Sequence, residues 1–440
     1  MKSSLIIAFV ATAMMGTVQA QTTKEWSLKD CIEHAVEHNI SIRQQAIQTD
    51  QNRNTVNTAK YARLPNLNGG ANQGWTWGRT PSPTDNTYVN TSSTSTSFSV
   101  STSIPLFTGF RLHNTYVAAK LNLQASLEDL QKAKEDISIS VTSAYMQALF
   151  DNEILTVAQE QVELSKQQVE RLVRLKEVGK SSYAEVAEAK SRLAQDQLSA
   201  VQARNAQQLS LLTLSQLLEL PTTNGFSIQK PTYNFTPETP TPPDAIYNAA
   251  VTQRPSIKAA QLRVKSSQRN IKVAKSAYYP ELSFNAGLST GYYTLKNRPH
   301  NTFSSQLDDN LNKQIGFTLS IPIFNRFSTR NSIRNAKLQH SSYAFQLQDE
   351  MKKLYKEIQQ SWYNAVGAEA KYNSSTAAVA ANKASFDLIT KKFENGKATS
   401  IEYNEAKLNL MKAVSEKLKA KYEFLFQTKI LNFYKGIPIE

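Results

Sequence analysis

The residues of this chain that could do chemistry fall into three groups. His34-Ala35-Val36-Glu37-His38 spells H-x-x-E-H, the order in which inverted zinc peptidases present two metal ligands and a general base. Cys31 lies one helical turn earlier on the same face, so a metal site is geometrically open to this stretch. Glu185 and Glu188 stand six and nine residues beyond Gly179, and Glu402 and Glu405 stand six and nine beyond Gly396. An i, i+3 pair shares one helix face, so each pair can act as one acidic patch; the plainer reading is a charged helix surface. Lys417, Lys419 and Lys421 form a basic run that reads as solvated surface. P-loop, nucleotide-binding glycine fingerprint and G-x-S-x-G are all absent from the chain. The expectation is no enzyme, no catalytic residues, no cofactor and no metal, with the H-x-x-E-H stretch an ordinary amphipathic helix.

Composition narrows the class. At 440 residues, 40% hydrophobic and 20% charged, with a mean hydropathy of -0.44, the chain is neither a disordered tail nor a polytopic helical membrane protein. One cysteine excludes a disulfide framework and any zinc module built on two thiolates. The net charge of +14 admits nucleic acid, but the basic residues run through helical patterns mixed with Glu and Asp, so a solvated surface and no nucleic acid are expected. Residues 1–20 read as a secretory signal: Lys2, an apolar stretch from Leu5 to Met15, then Val18-Gln19-Ala20. That stretch is shorter than the ~20 residues of a spanning helix. Asp30 does not suit a lipoprotein cleavage site before Cys31, so no lipid anchor is expected there.

An internal duplication supplies the elements that must position these residues. A shift of 215 carries Ala35-Val36 onto Ala250-Val251 and Pro65 onto Pro280. A shift of 217 carries Ser103-Ile104-Pro105-Leu106-Phe107 onto Ser320-Ile321-Pro322-Ile323-Phe324, Phe110 onto Phe327, Gly179-Lys180 onto Gly396-Lys397 and Ala189-Lys190 onto Ala406-Lys407. Repeat 1 is read as 21–220 and repeat 2 as 244–440, joined by a Pro-rich linker over 221–243. In the second repeat, Ile246, Ala249, Thr252 and Gln253 stand where the H-x-x-E-H ligands and Cys31 stand in the first, so the helix recurs without its ligands.

Proline is absent from Leu106 to Leu220 and from Ile323 to Ile437, so both runs are read as mostly helix. An apolar stripe at steps of three, four and seven runs from Leu112 through Leu172. The expected helix, Phe110 to Lys176, is about 100 Å long at ~1.5 Å per residue and must pack in a coiled-coil-like bundle. Gly179 is expected to reverse it into a return helix from Tyr183 to Leu220. Repeat 2 is expected to copy this, with a helix from Phe327 to Phe393, a tip at Gly396 and a return helix from Ile401 to Tyr434.

Ahead of each hairpin lie alternating segments, expected as strands at about 67–77, 94–107, 282–293 and 313–324. Phe98, Val100 and Ile104 oppose Ser97, Ser99 and Ser101; Ile315, Phe317, Leu319 and Ile321 oppose Gly316, Thr318 and Ser320. Small uncharged polar residues on the second face suit a membrane barrel with a wet lumen, and Trp75, Trp77, Tyr292 and Tyr293 suit its aromatic interface. A soluble two-faced sheet is the alternative. Gly78 to Ser93 and Thr294 to Asn310 are read as polar outer loops. Four strands cannot enclose an open pore, so closure calls for several chains; three would supply twelve strands, with their hairpins continuing the tube.

With a Trp26-Ser27-Leu28 start, two repeats, Ile104-Pro105-Leu106-Phe107 and Ile321-Pro322-Ile323-Phe324 leading into helices, and a glycine tip in each repeat, the chain resembles the TolC-like family of outer membrane efflux proteins. The resemblance implies a mixed α and β membrane protein, a homotrimer with a 12-stranded β-barrel in outer membrane lipid of a Gram-negative bacterium, and an α-helical barrel in the periplasm. It implies a passive exit duct of a tripartite efflux or type I secretion system, docked on a periplasmic adaptor and through it on an inner-membrane pump. The docking contacts would be Gly179, Lys180, Ser181, Ser182, Gly396, Lys397, Ala398 and Thr399. In the family, acidic side chains at the positions of Glu402 and Glu405 line the narrow periplasmic entrance, and Glu185 and Glu188 are their counterparts in the first repeat. The arginine often found two residues beyond the second tip glycine is Ala398 here. Drugs, dyes, detergents and polypeptides remain open as cargo; only Met146, Met351 and Met411 follow the signal, which disfavours a dedicated soft-metal exporter. The alternatives are a periplasmic coiled-coil adaptor and a zinc peptidase using His34, Glu37 and His38.

Overall fold

A computed structural model of the chain describes residues 25–81, 87–223, 225–230, 241–296 and 298–439; the signal sequence and segment 231–240 of the Pro-rich linker lie outside them. The elements in order are β1 (Glu25–Trp26), α1 (Leu28–His38), α2 (Ile40–Tyr61), β2 (Asn68–Pro81), β3 (Tyr88–Thr108), α3 (Arg111–Glu177) and α4 (Tyr183–Leu217). The second half adds β4 (Ser227–Ile228), α5 (Pro243–Gln253), α6 (Pro255–Ser276), β5 (Glu281–Leu295), α7 (Phe303–Asp309), β6 (Asn312–Ser320), α8 (Ser328–Glu394) and α9 (Ser400–Tyr434).

The four long strands form one antiparallel sheet in the order β2-β3-β5-β6. Its register turns the sequence alternation into two continuous faces. Val100 pairs with Leu288, Ile104 with Phe284, Phe284 with Phe317, and Leu282 with Leu319, so one apolar face crosses the strands. The other face joins Ser99 to Ser289 and Ser103 to Asn285. The apolar face is bare: Ile315 is 79% and Phe317 70% exposed. Strands β2 and β6 each have one unpaired edge.

The two Pro-containing strand ends behave differently. In β3 the ladder continues past Pro105 through a bulge between Pro105 and Phe107. Pairing with β2 begins only at Ser101, so proline's missing N–H costs no ladder bond on that side. In the second repeat β6 stops at Ser320 and leaves Ile321-Pro322-Ile323-Phe324 outside, short of the expected residue 324. Its partner β5 starts at Glu281, opposite Ser320, and beyond that pair nothing receives hydrogen bonds. The expected loops are also shorter, since β2 runs on to Pro81 and β3 begins at Tyr88. The second outer loop holds α7, which the sequence did not signal. Gln306 of α7 accepts from the Tyr293 N–H (2.9 Å) and donates to its carbonyl (3.1 Å), standing in for a strand where β6 has ended.

Below the sheet, α3 packs on α2 and α6, and α6 on α8; farther away, α3 packs on α4 and α8 on α9. Each of α3 and α8 has 67 residues. In the first repeat α1 buries Leu28, Cys31 and Ala35 against Val141, Tyr145 and Leu149 of α3 and Leu214 of α4, and Tyr422 of α9 joins this core from the second repeat. Burial of each large side chain there contributes roughly 1.5–3 kcal/mol. Tyr145 donates its hydroxyl to the carbonyls of Trp26 (3.2 Å) and Gln229 (2.7 Å), tying down the parallel β1–β4 pair. The second repeat builds a matching core from Ile246, Ile257, Leu354, Ile358 and Leu431, against which Trp362 packs.

Candidate functional site

Each hairpin tip is built from local chemistry. Gly179 and Gly396 both adopt φ +71°, the left-handed conformation that side chains resist. The Gly179 N–H reaches the Lys176 carbonyl (2.9 Å) and the Lys180 N–H the Leu175 carbonyl (2.8 Å); Gly396 and Lys397 make the same pair of bonds to Phe393 (3.1 Å) and Lys392 (2.8 Å). These are Schellman closures. The return helices then start on capping boxes. The Glu185 N–H donates to Ser182 Oγ (3.1 Å), while the Ser182 N–H and the Ser181 hydroxyl donate to Glu185 Oε2 (2.8 Å each). Thr399 and Glu402 repeat this, with the Thr399 N–H 2.7 Å from Glu402 Oε2. Lys180, Ser182, Lys397 and Thr399 are exposed, and Ser181 and Ala398 are half-buried.

The four glutamates therefore divide. Glu185 and Glu402 turn back on their own helix starts, and the backbone N–H groups of Ser182 and Thr399 hold both carboxyls below the usual carboxylate range. Glu188 and Glu405 instead face one groove between α4 and α9, with Arg192, Gln195 and Ile401. Glu188 accepts a hydrogen bond from the Ser400 hydroxyl at 3.0 Å, which links the two hairpins. A second link joins Arg171 on α3 to the Glu394 carbonyl (3.1 Å), with the Arg171 guanidinium over the Phe393 ring and Phe393 stacked on Tyr403.

The most buried charges of the site escaped sequence reasoning. Lys407 on α9 puts Nζ 3.1 Å from Asp196 Oδ2 on α4 and 2.6 Å from Ser165 Oγ on α3. The two charged side chains are 3% and 6% exposed. The Ser165 hydroxyl donates to Asp196 Oδ2 (2.5 Å), and the Gln161 amide to Oδ1 (2.9 Å), so both carboxylate oxygens are satisfied. Burial pushes the Lys407 ammonium below its ordinary pKa, against the pull of Asp196. A cavity of about 20 Å³ lies beside it, lined by Ser165, Arg192, Tyr403 and Lys407, large enough for one water. The one signal available in the sequence was the repeat itself, which aligns Lys407 with Lys190; yet Lys190 is exposed.

The H-x-x-E-H stretch lies on α1, with Leu28, Cys31 and Ala35 on its buried face. His34 and His38 stack face to face at 4.1 Å, His34 meets Trp26 edge-on, and His38 Nδ1 lies 3.0 Å from the His34 carbonyl. Cys31 is buried in the core. Among the described residues no group of three His, Cys, Asp or Glu could hold a metal ion.

This architecture matches a known family. The profile of the outer membrane efflux protein family covers residues 31–219 and 246–431, one stretch for each half. The chain belongs to that family. It is 23% identical over 399 residues to outer membrane protein TolC of Escherichia coli K12, spanning 88% of this chain and 77% of that protein. Identity to the cation efflux system protein CusC of the same strain is 24%, over 79% of this chain and 74% of that one. The crystal structure of outer membrane protein VceC from Vibrio cholerae superposes with a TM-score of 0.77 at 17% identity, covering 94% of this chain and 97% of the other. As an outer membrane efflux protein, the chain is located in the outer membrane, with its long helices extending into the periplasm. The family match overturns the soluble adaptor alternative. No described helix is long and apolar enough to cross a membrane.

Proposed function

We propose that three copies of this chain close a twelve-stranded barrel and a helical tunnel, forming the passive exit duct of a tripartite efflux system. The observation that carries this is the four-stranded sheet with one continuous bare apolar face and two unpaired edges, β2 and β6, running directly into helices of about 100 Å. An open edge is a template for another strand, and four strands are too few for an open lumen. The flanks carry further apolar side chains that a neighbouring copy would cover: Leu338 and Phe345 on α8, 69% and 66% exposed, and Leu198 and Val201 on α4.

The periplasmic end is the entrance. Glu402 and Glu405, with Glu185 and Glu188, form its acidic ring, which attracts cations by a focused field. Gly179, Lys180, Ser181, Ser182, Gly396, Lys397, Ala398 and Thr399 form the surface on which the periplasmic adaptor docks, and an inner-membrane pump is reached through it. Support comes from the twin tip geometry and from the groove shared by Glu188 and Glu405. The test is fractionation followed by planar-bilayer recording. Heat-sensitive trimers in the outer membrane fraction that conduct ions are expected. A monomer released by carbonate, or a trimer without conductance, would overturn the proposal.

A further inference from the structure

The surplus positive charge is concentrated at one level of the molecule. No Asp or Glu occurs from Gln51 to Pro81, from Arg111 to Leu127, from Pro255 to Pro280 or from Arg326 to Gln348. These are the four stretches where α2, α3, α6 and α8 meet the sheet. Lys272 and Lys275 close α6, and Arg330, Arg334 and Lys337 open α8; all five are exposed and have no carboxylate partner among the described residues. On the other pair of helices, Arg63 and Lys120 flank the Tyr116 ring at 5.7 and 5.8 Å. The ion pairs made by these stretches include Arg111–Glu281, Arg263–Asp129 and Arg53–Asp50. The far ends of the long helices are mixed in sign, with Glu177, Glu185, Glu394 and Glu402 beside Lys176, Lys180, Lys392 and Lys397.

An aromatic belt separates this basic band from the bare apolar face. Phe107 continues that face, since it pairs with Leu282 in register, and its ring meets Phe110 at 5.6 Å. Phe324 and Phe327 repeat the contact at 5.6 Å. Phe110, Phe324, Phe327, Tyr278 and Tyr279 are each more than half exposed. Arg330 sits over the Phe327 ring at 6.0 Å, so the basic band adjoins the belt. Aromatic rings with Lys and Arg just beyond them mark the edge of a bilayer.

Distances agree with that reading. Headgroups occupy about 5–8 Å beyond the hydrocarbon core, and a charge is felt for about 8 Å more at physiological salt. Together that is about nine residues of helix. Lys272 and Lys275 lie within four residues of the end of α6, and Lys337 is nine residues from the start of α8.

We propose that this collar binds the phosphates of anionic phospholipids in the periplasmic leaflet of the outer membrane, giving the channel a second hold on the bilayer besides its apolar sheet. The inference rests on the family's outer membrane location and not on the acidic entrance. Phosphatidylglycerol is the probe. The full-length trimer, reconstituted in mixed vesicles, is examined with spin-labelled phosphatidylglycerol and phosphatidylcholine. Phosphatidylglycerol should be preferred at the protein boundary by about threefold or more at low salt. That preference should fall to about one near 1 M salt, where the Debye length is ~3 Å. The quintuple variant Lys272→Gln, Lys275→Gln, Arg330→Gln, Arg334→Gln, Lys337→Gln should lose it while keeping trimer yield and conductance. A preference absent in the natural chain, or indifferent to both salt and the substitutions, overturns the proposal. So does a variant with intact lipid preference but altered anion selectivity, because the collar would then line the lumen and act on cargo. If the quintuple variant fails to assemble, the salt dependence and the Lys272→Gln, Lys275→Gln pair decide.

Discussion

Removing one partner of the buried Lys407–Asp196 pair should damage the entrance far more than removing both. At 3.1 Å the bare attraction is about 5 kcal/mol with an effective dielectric of about 20, and desolvation of two nearly inaccessible charges offsets most of it. Lys407→Met leaves the Asp196 carboxylate buried with only Ser165 and Gln161 donating to it. Breaking such a pair costs about 3–5 kcal/mol. Asp196→Leu strands the Lys407 ammonium in the same way. The double variant Lys407→Met, Asp196→Leu substitutes apolar contacts of similar size and should fall within about 1–2 kcal/mol of the natural chain, or exceed it. Hydrogen–deuterium exchange of the assembled trimer reads this locally, since at 1.4 kcal/mol per decade the single variants should speed exchange of α9 amides around residue 407 by about 100- to 4,000-fold. The double variant should restore most of that protection. Single variants within threefold of the natural chain, or a double variant as poorly protected as the singles, would refute the reasoning. The pH dependence has a definite sign. Because the folded pKa of Lys407 lies below its ordinary 10.5, the unfolded chain binds more protons in the window between them, and the contribution of this group to stability rises with pH there.

Three further outcomes follow from the tips. A Cβ at Gly179 or Gly396 meets no neighbour within 4 Å, so the main cost of Gly179→Val with Gly396→Val is backbone strain, ~1 kcal/mol or more at each site; trimer yield should be normal and adaptor crosslinking impaired, and full export by the double variant would remove the docking role. Glu402→Gln with Glu405→Gln retains the cap, because Gln also serves in a capping box, but should reduce cation selectivity and block by multivalent cations in planar bilayers; unchanged selectivity would place these carboxylates on the outer wall. The caps at Glu185 and Glu402 have depressed pKa values, so their contribution is present at neutral pH and is lost as pH falls through the folded values. Amide exchange at Ser182 and Thr399 should therefore accelerate on acidification, beyond the intrinsic trend, and should cease to depend on that titration in Glu185→Gln and Glu402→Gln.

What the sequence by itself determined is what short-range chemistry dictates. Proline-free runs, a 3.6-residue stripe and Gly179 and Gly396 between helices specify long hairpins, because helix hydrogen bonds and glycine's left-handed freedom act within a few residues. Period-two alternation with serine and threonine opposite Phe and Val specified a two-faced sheet, and the duplication with its tip glycines carried the family. Only the tertiary structure decided where those elements end and which charges matter. β6 stops at Ser320 because its partner β5 begins at Glu281, opposite it, and α7 forms where it can satisfy the free edge at Tyr293. Phe110 and Phe327 take φ of 64° and 62° as the N-caps of α3 and α8. Nothing local sets Lys407 apart among the 50 lysines and arginines. Its repeat counterpart Lys190 stays in water, and the position equivalent to Asp196 is Ala413. A buried ion pair exists only where three helices bring its members together, and the near-symmetric copy of the same sequence packs against different neighbours.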